Sequence, residues 1–394
     1  MMMNPTADSV SEKGMMAMLL KNGTILNGNF ERVKADLLIH EETIAQIGKS
    51  LEVPGEEVLD CTGKLLVPGV IDIHTHGAVG CDHSSGDPEA LRKIAEYEGK
   101  NGVTSFLPTT MTISEEAIRK AVVNVRDYCK TDHAGATPLG VHMEGPFFSQ
   151  AKRGAQPPEW IRNPDVAMFR RLNAACDGMI KIVDVAPETD GALDFIREVK
   201  GEAVVSVAHT AADYELTCAA FQAGASHAIH LYNGMTGATH REPGVVGAVW
   251  DTPNVSAELI CDGVHIHPAM LRSTFRLLGR RVVMISDSLE AAGLPDGTRF
   301  LDAGGHEITV TNGKATLANG TIAGSSTNLM ECVRRVINFG VELETAFYAA
   351  TYAPAKVIGC ENLLGSLEPG KRADVVVLDE ILQPTCVFIK GKRL

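Results

Sequence analysis

The sequence predicts an α/β fold: a (β/α)8 TIM-like barrel with a small β-sandwich domain formed from both chain termini. Three observations lead there. Eight short apolar runs, each ending in polar residues, recur at a spacing of roughly 20–40 residues, the repeat of a βα unit. Helical patterns lie between most of the runs. The two ends of the chain read instead as short strands joined by tight turns.

In chain order, residues 1–15 read as a disordered extension. This start lacks a basic n-region, and its apolar part is a handful of residues ending at Lys21, so neither a signal peptide nor a membrane span is expected. LLKNGTILNG (19–28) and ADLLIHEETIAQIG (35–48) place strands in 16–65, with hairpin-like Asn-Gly turns. RADVVVLDEILQPTCVFIKGKRL (372–394), with a Lys-Gly turn, places more in 366–394. The two segments flank the barrel, and together they are assigned to the β-sandwich domain.

The barrel is assigned to 66–365. Its runs are LLVPGVIDIHTH (65–76), VTSFLPTT (103–110), PLGVHMEGPFF (138–148), MIKIVDVAPE (179–188), AVVSVAHT (203–210), SHAIHLYNG (226–234), VSAELICDGVHIH (255–267) and RVVMISDS (281–288). PEALRKIAEYEGK (88–100) and SEEAIRKAVVNVRDYCK (114–130) open with acidic first turns, as helix starts prefer. HPAMLRSTFRLLGR (267–280) supplies a further helix before the last run. An insertion at 293–322 reads as hairpins. A doubly wound open sheet is the competing architecture, but no GxGxxG follows a first strand.

The chain has 394 residues, 45% hydrophobic and 22% charged, enough for a large core and more than one domain. A formal net charge of −13 argues against nucleic-acid and anionic-membrane partners, but leaves room for a small anion held by local donors. Nine cysteines are scattered singly with no CxxC pair, the usage of reduced thiols in a cytoplasm.

Polar residues gather at the C-terminal ends of the runs, the face that carries chemistry in such barrels. His74 and His76 stand two apart on a strand, so both rings face one spot. Glu144, His209, His230 and Asp287 stand at the ends of the third, fifth, sixth and eighth runs. A lone histidine at a strand end is more often a hydrogen-bonded core residue than a ligand. Six ionisable groups at one end of separate strands are costly to bury unpaired, and a shared cation would neutralise them. Nitrogen and oxygen donors without thiolate suit zinc or iron(II).

In order, IDIHTHG, HMEGPF, AHT, HLYNGM, HREPG, DGVH and SDS resemble the amidohydrolase superfamily. More narrowly the set resembles its N-acetylglucosamine-6-phosphate deacetylases, over nearly the whole chain from about residue 17 through GSLEPGKRADVVVLD (365–379). The His-x-His pair alone marks only the superfamily; HMEGPF, HLYNGM and HREPG are the specific part.

The resemblance implies a metal-dependent hydrolase that releases acetate from N-acetylglucosamine 6-phosphate, and a homodimer with a shared active site. It makes Glu144, His209 and His230 ligands of a principal metal, with His74 and His76 matching the pair that some members use for a second. One or two ions are therefore expected, with Glu144 as the bridge; Lys181 lies at the wrong end of its strand for that task. Asp287 takes the general acid/base role; its plainer reading is a helix N-cap. Substrate contacts fall on Ala155, Asn233, Gly234, Arg241, His265 and on Ile322, Ala323 and Gly324, with one or more reaching in from a neighbouring subunit. Without the resemblance, Asn233–Gly234 would read as a plain turn and Arg241 as a surface ion pair. Gln156 stands where some members carry a histidine. His83, His133, His227, His240, His267 and His306 receive no role.

Rival readings are the galactosamine epimer as substrate, a cyclic amide as in dihydroorotase-like members, and a non-catalytic scaffold. The last is disfavoured because none of the six candidate groups is replaced.

Overall fold

β-Branched residues are frequent in most of the apolar runs, and all eight form parallel strands: β1 (Val70–Thr75), β2 (Val103–Thr110), β3 (Val141–Met143), β4 (Ile180–Val185), β5 (Val204–Val207), β6 (His227–Ala228), β7 (Ser256–Ile260) and β8 (Val282–Ile285). The computed structural model describes residues 17–54, 57–301 and 305–394. The extension expected over 1–15 lies outside them. Each strand pairs with the next, and β8 returns beside β1. There Thr75 and Ser288 form a parallel bridge, and the Asp287 N–H donates to the His74 carbonyl at 2.9 Å. The result is a nearly closed barrel.

Helices cover the outside for reasons legible in their sequences. Pro88–Lys100 starts on Asp87, whose carboxylate accepts the Glu89 N–H, with proline at the first helical position. Its Leu91 is buried in the barrel's core and Ile94, three residues on, against Ala78 and Ala292; each contributes about 1.5–3 kcal/mol. Glu115–Tyr128 starts on Ser114, whose hydroxyl accepts the Ala117 N–H, and buries Ile118, Val122 and Val125. Pro268–Leu278 starts on His267, whose ring accepts the Ala269 N–H. Three helices after the insertion, Leu329–Asn338, Leu343–Ala350 and Tyr352–Val357, were not read from the sequence.

Ala17–Leu26, Arg32–His40, Thr43–Gly48, Glu57–Asp60 and Leu65–Pro68 join Val375–Leu378, Pro384–Ile389 and Lys392–Arg393 in one eight-stranded sheet. Its Thr43–Gly48 edge curls back onto the segment before Val375: Thr43 bridges Arg372, and the Ile44 N–H donates to the Lys371 carbonyl at 2.8 Å. Leu20, Ile25, Leu37, Val375, Val377 and Phe388 share the core so enclosed. Lys390–Gly391 turns the chain as expected, but Asn22–Gly23 does not. It is a bulge inside Ala17–Leu26, where the pairing with Arg32–His40 shifts between Leu20 and Gly23. Asn22 adopts φ +63°, its N–H and side-chain amide held by Asp36 and Asp60. A Cβ on Gly23 would lie 2.5 Å from the Leu66 Cδ1 methyl, so a larger residue there would have to displace that side chain.

The insertion is a four-stranded antiparallel sheet, Arg299–Leu301, Glu307–Thr311, Lys314–Leu317 and Ile322–Ser325, on a small core of Leu289, Ile308, Val310 and Ala315. Its last strand is bridged to Ser288 at the end of β8, which brings 321–324 to the barrel mouth. No helix among the described residues is long and apolar enough to cross a membrane.

Candidate metal centre and active site

Alternation along the strands builds the site. On β1, Ile71 and Ile73 pack in the barrel's hydrophobic core, while Asp72, His74 and His76 occupy the alternate positions. Leaving β3, Glu144 sits two residues beyond His142. His209, His230 and Asp287 follow β5, β6 and β8 on left-handed backbone, with φ +39°, +23° and +48°. Such conformations cost about 1–3 kcal/mol each in non-glycine residues and persist where the surroundings hold them. No helix starts at Asp287, so its N-cap reading is set aside.

Glu144 is the hub. Its Oε1 lies 3.1 Å from His209 Nε2 and 3.2 Å from His230 Nε2, and those two nitrogens are 3.2 Å apart. Its Oε2 lies 3.2 Å from His76 Nε2. Asp287 Oδ1 stands 3.4 Å from His76 Nε2 and 3.6 Å from His74 Nε2. Glu144–His209–His230 and His74–His76–Asp287 are thus two adjoining donor sets able to hold metal ions.

The back of the rings shows that a cation fits. His209 Nδ1 faces the Lys152 carbonyl at 2.9 Å, and His230 Nδ1 faces the Asn233 carbonyl at 3.1 Å. A carbonyl only accepts, so in the neutral rings Nδ1 carries the proton and Nε2 presents a bare lone pair to Glu144. Lone pairs facing a carboxylate at this range need a positive charge between them. Without a cation, protons on these rings would have to take its place, and the electrostatics of the cluster favour them. Burial would raise the Glu144 carboxyl, yet His209, His230 and His76 hold it well below its ordinary range. Burial disfavours charge on His76, but Asp287 and Glu144 outweigh it and raise the ring well above its usual value. His230 is pushed up to about 9 by the same contest, with Glu144 as the main partner.

The barrel mouth above this hub is a pocket of about 200 Å3. It is lined by the candidate metal groups His76, Glu144, His209, His230 and Asp287, with Ala155, Asn233, Gly234, His265, Ile322, Ala323 and Gly324 around them. Asp262 Oδ2 accepts from His265 Nδ1 at 2.7 Å and so orients that ring. Two predicted site residues do not line the pocket: His74 is fully buried beneath it, and Arg241 is exposed on the 237–242 loop. Lys181 is the second residue of β4, at the opposite end from Val185.

A family profile for the amidohydrolases matches residues 65–394. The chain belongs to the amidohydrolase family. This amidohydrolase is 40% identical to an N-acetylgalactosamine-6-phosphate deacetylase of Escherichia coli O157:H7, over 85% of this chain and 89% of that one. It is 36% identical to the N-acetylglucosamine-6-phosphate deacetylase of Bacillus subtilis (strain 168), over 95% of each. Among solved structures it resembles a variant of the Mycobacterium smegmatis N-acetyl-D-glucosamine-6-phosphate deacetylase, in complex with N-acetyl-D-glucosamine-6-phosphate. The TM-score is 0.89 at 31% identity, covering 96% of this chain and 99% of that one.

Sequence reasoning did not find how several groups of this amidohydrolase pack around the site. Gln156 donates to Glu144 Oε2 at 2.6 Å and accepts the Thr112 N–H. Glu258 and Asp262 lie on or just past β7, and His142 pairs with Asp184 beneath the hub. Their signal was present: a carboxylate inside an otherwise apolar strand, as in VSAELICD, is too costly to bury without partners. His227, left without a role, is buried against Glu258 and Ser256.

Proposed function

We propose that this amidohydrolase is a metal-dependent deacetylase that hydrolyses the acetamide of N-acetyl-D-glucosamine 6-phosphate to D-glucosamine 6-phosphate and acetate, in amino-sugar catabolism. The supporting observation is the convergence of Glu144, His209, His230, His74, His76 and Asp287 at the floor of a pocket lined by Asn233, Gly234 and His265. Relatives with this activity at 34–37% identity add to it.

Glu144, His209 and His230 would hold a principal cation and His74 and His76 a second, with Glu144 beside both. The donor set suits zinc or iron. Such a cation supplies Lewis acidity, acidifying water and polarising the acetyl carbonyl. Asp287 Oδ1 takes the proton of the attacking water and delivers it to the departing amine nitrogen. Glycine at 234 lets backbone N–H groups approach the phosphate, and His265 donates from the side. Among the described residues no lysine or arginine lines the pocket, so a dianionic phosphate finds no formal cationic side chain there. Arg241 supplies it from a second copy, which makes the active unit a homodimer. Nine free cysteines suit a reducing cytoplasm.

The galactosamine epimer is a second reading, favoured by the 40% identical relative that bears that name. Acetate release from N-acetylglucosamine 6-phosphate, N-acetylgalactosamine 6-phosphate and unphosphorylated N-acetylglucosamine, run beside elemental analysis, decides between them. The glucosamine phosphate is expected to give the highest kcat/KM. A higher value for the galacto epimer selects the second reading, and no acetate from either phosphate overturns both.

A further inference from the structure

The geometry points to Glu258 as a positioning residue that sets His74 for a second cation. Glu258 lies on β7, which contributes none of the six groups at the hub, and it is fully buried. One oxygen, Oε2, accepts from His74 Nδ1 at 2.8 Å and from the His230 backbone N–H at 3.2 Å. The other, Oε1, faces His227 Nε2 at 3.2 Å. His227 Nδ1 is in turn 2.7 Å from the Ser256 hydroxyl, two residues earlier on β7.

The consequence follows from what each atom can do. Glu258 as a carboxylate only accepts, so His74 carries its proton on Nδ1 and turns a bare Nε2 the other way. That Nε2 is buried, has no hydrogen-bond partner, and stands 3.6 Å from both Glu144 Oε1 and Asp287 Oδ1. A nitrogen lone pair aimed between two carboxylates is a metal donor held ready. The same Oε2 also grips the backbone of His230, whose φ of +23° needs holding. One carboxylate therefore ties a ligand of the principal set to a ligand of the second.

Packing alone does not account for this residue. A buried carboxylate without a cationic partner is expensive, and an apolar side chain of similar volume serves a barrel wall equally well or better. A carboxylate behind a metal-binding imidazole fixes its tautomer and raises its basicity, and losing it typically costs 10–100-fold in metal affinity.

The inference rests on the two-cation reading proposed above, and the test separates the two. Full-length protein and its Glu258→Gln and Glu258→Leu variants are dialysed against graded free Zn2+, and zinc per chain is measured with the melting temperature of each. Wild type is expected to take up two equivalents. In Glu258→Gln the second is expected to weaken 10–100-fold and the first, which Glu258 touches only through the His230 backbone, by less. Glu258→Leu should do the same more strongly; if it fails to fold, the amide variant, of the same shape, carries the test. A folded variant whose second equivalent is unmoved overturns the role, as does equal weakening of both. Wild type binding a single equivalent overturns the two-cation reading, and this inference with it, before any variant is compared.

Discussion

Replacing Asp287 by asparagine removes a proton acceptor while leaving almost every contact in place. The backbone of Asp287 is pinned on both sides: its N–H donates to the His74 carbonyl at 2.9 Å, and its carbonyl accepts the Ser325 N–H at 2.7 Å. Its φ of +48° is a region that asparagine tolerates better than most residues. The side chain is only 12% exposed, so the amide stays facing His76, 3.4 Å away. What changes is chemistry. Loss of a positioned general base and acid costs about 10²–10⁴ in rate, or about 3–5 kcal/mol of transition-state stabilisation. The assay is steady-state acetate release with kcat and KM separated, run with metal content and melting temperature. The expected result is a kcat lower by that factor, with KM, melting temperature and the principal metal unchanged. Turnover within tenfold of wild type, at equal metal content, would refute the acid/base role. Loss of metal from the variant would instead make Asp287 a ligand.

Three further outcomes are expected. A Cβ on Gly234, at φ +61°, would sit 2.9 Å from His209 Nδ1, so Gly234→Ala should displace that ring, lower principal-site zinc content and cut turnover at least tenfold, with circular dichroism unchanged. Arg241→Ala should raise KM for the sugar phosphate far more than for unphosphorylated N-acetylglucosamine; mixing it with Asp287→Asn subunits should restore activity through one intact composite site, which size-exclusion and rate measurements can follow. His83 is fully buried against Phe106, and burial drives its pKa from 6.5 down to about 3. The folded state then refuses a proton that the unfolded chain accepts, so His83's neutral form supports stability above pH 6.5 and that support is lost as pH falls toward 3. At pH 5 the loss is about 2 kcal/mol, and His83→Phe should remove it, visible as urea midpoints that converge with wild type at pH 7.5 and exceed it at pH 5.

Much of this was legible in the chain. The alternation IDIHTH gave the face of β1, and helix starts at Asp87 and Ser114 fell where N-cap chemistry puts them. What escaped has physical causes. Asn22–Gly23 carries the same residues whether it reverses a hairpin or bulges one strand, and only the distant partners Asp36, Asp60 and Leu66 select the bulge. Glu258 was visible as a carboxylate in an apolar strand, but its role was not, because its partners His74, His227 and His230 come from other strands. The tie between Gln156 and Glu144 likewise depends on how a loop folds back, which strand periodicity does not encode.

The seam between Leu65–Pro68 and Val375–Leu378 has a consequence for synthesis. A nascent polypeptide leaving the ribosome presents the first of these strands some three hundred residues before its neighbour emerges. In that interval Leu66 and Val67, both destined for full burial, keep one row of amide groups without its final mate. Messages cut short upstream of Val375 should therefore yield products that stick to one another through this open border, and not shorter enzymes.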